Sequence, residues 1–103
     1  MERVASALKK TKSYREVHCA FLEVAKPSIP EAITRCIEGG SSEVRVLPYF
    51  VLTGKHVLRD IPRIVLAEAA RHKGKAKIVL CPYLGYHSKL VSVVQQRIGE
   101  GRS

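Results

Sequence analysis

The chain has 103 residues, room for one small domain and not for a second. Hydrophobic residues make up 46% and charged residues 26%, a balance that argues against disorder, and no apolar run is long enough to span a bilayer. The formal net charge of +9 favours an anionic partner: nucleic acid, an acidic lipid surface, or a phosphate or polycarboxylate ligand.

Glu2–Ser13 carries Val4, Ala7 and Leu8 at helical spacing and ends in lysines, so it reads as a short amphipathic helix. Val17–Glu23 is an apolar run ending in a carboxylate and is expected to be a buried strand, closed by Ala25-Lys26-Pro27. Ser28-Ile29-Pro30-Glu31 fits a capping box, with Pro30 tolerated in the first turn. Ile29, Ala32, Ile33, Cys36 and Ile37 then form one apolar helix face, stopped by Gly39-Gly40.

Val44–Asp60 is the stretch around which the rest is organised. Val44, Val46, Leu47, Tyr49, Phe50, Val51 and Leu52 suit a parallel strand covered by helices on both sides, with pairing ending near Pro48. Thr53-Gly54-Lys55-His56 is expected to be a mobile polar loop, and Asp60-Ile61-Pro62 the start of a helix ending near His72-Lys73-Gly74. Ala76–Cys81 reads as another buried strand, Tyr83–His87 as a loop, and Leu90, Val91, Val94 and Ile98 as a last helix before a frayed tail at Gly99–Ser103. The expected order is helix, strand, helix, strand, helix, strand, helix: an α/β fold with right-handed crossovers and a parallel sheet.

Open sheets of this kind bind ligands beyond the carboxyl ends of their strands. Glu23 and His56 both occupy such places, and adjacent strands could bring them to one crevice. An imidazole and a carboxylate together suit cobalt, iron or zinc, and could also accept protons from a substrate. The spacing equally allows a helix-dipole contact for Glu23 and a solvent-exposed ring for His56. Structural roles are favoured for His18, His72 and His87, with His87 a possible cap of the last helix and no partner evident for the other two. Cys19, Cys36 and Cys81 show no CxxC spacing and read as reduced core thiols of a cytoplasmic protein. The basic clusters, Lys9, Lys10, Lys12 and Arg15, and Arg71, Lys73, Lys75 and Lys77, could simply be solvated helix ends. No stacking motif or recognition helix accompanies them, which disfavours nucleic acid, and no leader or anchor points to a membrane.

FLEVAKPSIPEAI (Phe21–Ile33), VLPYFVLTGKHVLRDIP (Val46–Pro62) and LGYHSKL (Leu84–Leu90) resemble, in this order, the small sirohydrochlorin chelatases of the CbiX type. The resemblance runs from about Val17 to Ile98. It implies a flavodoxin-like sheet with helices on both faces, related to class II chelatases, over a single domain at residues 1–103. It also implies a lyase-class enzyme that inserts cobalt or iron into an anionic tetrapyrrole, without a nucleotide, for cobalamin or siroheme synthesis. The family's glutamate falls on Glu23 and its second metal histidine, in the G-[KR]-H motif, on His56. Lys55, Arg59 and Arg63 are the nearest candidates for the substrate's carboxylates, by proximity to His56 alone. The family's opening strand and its Gly-His-Gly-Ser-like loop have no counterpart before the first helix. The resemblance therefore implies an N-terminally truncated fold, slow or absent turnover, and a homo-oligomer paired through exposed strand edges. The alternative is a non-catalytic metal- or tetrapyrrole-binding domain of the same fold.

Overall fold

The structure, a computed structural model, describes residues 1–22, 25–49 and 54–101, without the side chains at positions 56 and 57. The first helix, α1 (Glu2–Lys10), stops short of the expected Ser13. Lys12 takes a left-handed backbone conformation, φ 59°, which ends a helix and is ordinarily left to glycine. No residue of α1 is buried.

Residues 17–22 correct the first strand expectation. They form no strand, only an isolated parallel bridge between Phe21 and Ser28, with the Phe21 N–H donating to the Pro27 carbonyl at 3.0 Å. A ladder needs a neighbouring strand to supply donors and acceptors, and among the described residues none flanks this run. Ala20 and Leu22 nevertheless pack against the core. The apolar pattern there recorded burial, not pairing.

The second helix, α2 (Ile29–Glu38), forms where its cap dictates. The Ser28 hydroxyl accepts from the Glu31 N–H at 3.2 Å, and the Glu31 carboxylate accepts from the Ser28 N–H at 3.3 Å. This hydrogen bonding to Ser28, hydroxyl first and backbone second, holds the Glu31 carboxyl below its ordinary pKa. Ile29, Ala32 and Ile33 are buried as the spacing requires, with Cys36 and Ile37 half-buried beside them. Gly40, at φ 101°, then turns the chain towards the sheet.

Strands β1 (Glu43–Val46) and β2 (Lys77–Leu80) pair in parallel, Glu43 opposite Lys77 and Val46 opposite Leu80. Backbone pairing runs past the strands: Cys81 N–H donates to Val46 and Leu84 N–H to the Pro48 carbonyl, at 2.8 and 3.0 Å. Pro48 has no N–H of its own, so regular pairing stops as expected while its oxygen still serves.

Between the strands lies α3 (Lys55–Arg71), which begins at Lys55 and not at Asp60. The Leu58 N–H already closes a helical turn on the Gly54 carbonyl at 3.2 Å. Pro62, taken from the sequence as a first-turn residue, therefore sits inside the helix. Loss of its backbone bond is offset by burial of Ile61 and Val65 on either side. The last helix, α4 (Ser88–Gly99), buries no residue.

The core is Ile29 and Ile33 of α2, Val44 of β1, and Ile61 and Val65 of α3, so α2 and α3 pack together over the parallel pair. The three cysteines are unbridged and half-buried; of them Cys36 packs on the core, where burial pushes its thiol pKa up. Among the described residues no helix is long and apolar enough to cross a membrane.

Candidate functional site

Because β1 and β2 are parallel, the segments leaving them emerge at the same end of the sheet. One is Leu47-Pro48-Tyr49, leading towards the first turn of α3; the other is Cys81–His87, leading to α4. The Leu84–Pro48 hydrogen bond ties the two together at 3.0 Å. This end also carries three exposed tyrosines, Tyr49, Tyr83 and Tyr86. Tyr86 is 79% exposed. Gly85, at φ 54°, lies so close to the Tyr83 ring that a Cβ there would come within 3.1 Å of it.

His56 is the second residue of α3, in its first turn, and not on a mobile loop. Its side chain lies outside the described set, as does all of Glu23. Position 56 lies in the first turn of the helix that follows β1, and the Phe21–Ser28 bridge ties together the chain on either side of Glu23.

The other histidines have structural partners. His87 is the N-cap of α4, its Nδ1 accepting from the Lys89 N–H at 3.1 Å. His18 meets the Glu16 carboxylate at 2.9 Å. His72, buried at the far end of α3, meets Glu68 Oε2 at 3.1 Å. That oxygen also accepts from Arg71 Nη2 at 2.8 Å, and Arg71 reaches Thr34 of α2 at the same distance. His72 follows position 56 by sixteen residues, about 24 Å along a helix, so its cluster belongs to the opposite end of the sheet.

Neither the partner of His18 nor this buried group around Glu68 is among the features expected from the sequence. The signal was available for one of them: Glu68 and His72 stand four apart, the spacing that stacks side chains on a helix face. The tyrosines carried no periodic signal, since loop residues follow none.

The sequence model of the CbiX family matches residues 1–101. The chain is 34% identical over 98 residues to the chloroplastic sirohydrochlorin ferrochelatase of Arabidopsis thaliana, covering 95% of itself and 43% of that protein. It is 33% identical over 89 residues to a sirohydrochlorin cobaltochelatase of Saccharolobus islandicus, covering 82% of itself and 70% of that relative. SirB from Bacillus subtilis, solved with Fe3+, superposes with a TM-score of 0.81 at 24% identity, over 96% of this chain and 39% of that one. At that identity the superposition speaks for the fold, and it agrees with the parallel α/β arrangement. The chain thus spans less than half the length of the Arabidopsis relative and of SirB. With the family matched from end to end of the described region, the chain belongs to the CbiX family.

Proposed function

We propose that this chain is a sirohydrochlorin chelatase, a single α/β unit over residues 1–103 that inserts cobalt or iron into the tetrapyrrole without a nucleotide. The observation that carries the reading is family membership over residues 1–101, together with relatives named for both metals. Position 56, in the first turn of the helix after β1, supports it by lying where open parallel sheets take their ligands.

In this reading His56 ligates the incoming metal and Glu23 serves as a neighbouring ligand or proton acceptor. As metal–nitrogen bonds form, the pyrrole N–H protons must leave, and a carboxylate beside the ring provides their destination. Holding metal and ring in register supplies much of the rate. A cytoplasmic location and a homo-oligomer are part of the proposal. Among the described residues each strand is paired on one side only, which leaves backbone donors and acceptors for a second copy. Sedimentation at micromolar concentration should show association; a monodisperse monomer would count against that part.

The test of the activity is the absorbance change of sirohydrochlorin on adding cobalt, with and without the chain. Insertion above the uncatalysed rate, reduced to that rate by His56→Ala, is the expected result. Equal rates with and without the parent chain would overturn the reading.

A further inference from the structure

We propose that Tyr49, Tyr83 and Tyr86, exposed where the chain leaves β1 and β2, form the aromatic surface on which the tetrapyrrole ring stacks. This rests on the chelatase reading and adds to it the residues that hold the substrate's ring.

The two ends of the sheet differ. Three of the chain's four tyrosines lie at the carboxyl end; the fourth, Tyr14, precedes Arg15, whose side chain donates to the Gly39 carbonyl at the amino end. Segments 47–49 and 81–87 contain no acidic residue, and neither do the first turns of α3 and α4. Glu31, at the start of α2, is taken up by Ser28. The amino end instead carries Glu43 opening β1, Glu38 closing α2 and Glu68 near the end of α3. Among the described residues, then, a flat conjugated ring rimmed with carboxylates meets clustered aromatic surface without opposing charge at the carboxyl end alone.

The tyrosines are also held in place. The Leu84 N–H donates to the Pro48 carbonyl at 3.0 Å, which sets their chain neighbours Tyr83 and Tyr49 on adjoining backbone. Gly85 takes a left-handed conformation, φ 54°, and a Cβ there would stand 3.1 Å from Tyr83 Cε2, so the ring lies directly against the glycine. The next residue, Tyr86, is left 79% exposed. None of the three rings packs on the core, so folding does not account for them. A tyrosine ring has only two rotatable side-chain angles, so little freedom is lost when a ligand covers it.

The experiment is a titration of the full chain, and of Tyr83→Ala, Tyr83→Phe, Tyr86→Ala and Tyr14→Ala, into metal-free sirohydrochlorin, read by the absorbance of the ligand, with circular dichroism as the fold control. Tyr83→Ala should raise Kd about tenfold, the scale of one aromatic stacking contact. Tyr83→Phe, which keeps the ring, should recover most of that loss. Tyr86→Ala, too exposed to act through the fold, should raise Kd about fivefold, and Tyr14→Ala should leave it within about twofold. Stacking also displaces the absorption bands of the bound ligand, and that displacement should shrink in Tyr83→Ala and return in Tyr83→Phe. Binding by the parent that neither Tyr83→Ala nor Tyr86→Ala weakens would overturn the stacking surface and leave the chelatase reading standing. A parent that does not bind sirohydrochlorin overturns both. Equal losses in Tyr83→Ala and Tyr83→Phe would place the contact in the hydroxyl and contradict stacking. The proposal also fails if Tyr14→Ala weakens binding as much as Tyr83→Ala, or if a single-stranded oligonucleotide competes as well as free sirohydrochlorin. It fails too if Tyr86→Ala dissociates an oligomer while Kd stays constant, since a second copy then covers the rings.

Discussion

Helices α2 and α1 are both amphipathic in sequence, yet α2 buries Ile29, Ala32 and Ile33 while α1 buries nothing. α2 has a reciprocal cap and a continuous apolar stripe; α1 has no side-chain cap bond and its stripe is Val4 and Leu8 with small residues between. The same contrast separates α3, whose Ile61 and Val65 enter the core, from α4, whose Val91, Val94 and Ile98 stay exposed. Apolar period shows that a helix has a face to hide. It does not show that the surface to hide it against is present. In this chain α2 and α3 find that surface in each other and in the β1–β2 pair.

The comparison breaks most readily at the middle of the packed half. Ile33, 2% exposed, touches the centre of the core, and Ile33→Ala should cost about 3 kcal/mol in denaturant unfolding. A loss under about 1 kcal/mol would mean that the α2–α3 layer is not where stability resides. Next comes the buried ion group. Glu68→Ala removes the acceptor shared by His72 and Arg71 and should cost about 2 kcal/mol, because His72 is left buried without its partner. If the unfolding midpoint does not move, the group is ornamental.

A finer probe is the α2 cap. Ser28→Ala should cost about 1 kcal/mol near neutral pH. Because Glu31 has its carboxyl pKa lowered in the folded state, its contribution is present above the unfolded carboxylate value and is lost as pH falls through the folded one. The gap between parent and Ser28→Ala should therefore narrow in acid, and a pH-independent gap would contradict the reciprocal bond. Smallest of all, Val94→Ala on α4 should change stability by less than about 0.5 kcal/mol, since Val94 is 54% exposed. A core-sized loss there would erase the distinction between the halves.

Where the sequence carried local chemistry, it was legible. The box at Ser28 and Glu31, the stop at Gly39-Gly40, the strands around Val44 and Ile78, and the capping role of His87 followed from residue type and spacing. The misreadings share another cause. Residues 17–22 look like a strand because they are apolar, but pairing depends on a neighbour that local sequence does not encode. Asp60-Ile61-Pro62 looks like a helix start, but Leu58 had already joined the helix through Gly54. That shift moves His56 from a loop into the first turn of α3, where a residue is held by its helix. Glu23 was legible as the last residue of an apolar run and through the family resemblance of Phe21–Ile33, and it lies outside the described residues.

In the proposed chelatase, metal meets the chain at the first turn of α3, and cobalt titration by calorimetry at neutral pH is the decisive check. His56→Ala should weaken cobalt binding by at least about tenfold, while His87→Ala, which removes the α4 cap, should leave the affinity within about twofold. Equal affinity for the parent and His56→Ala, or a larger loss with His87→Ala, would contradict the account.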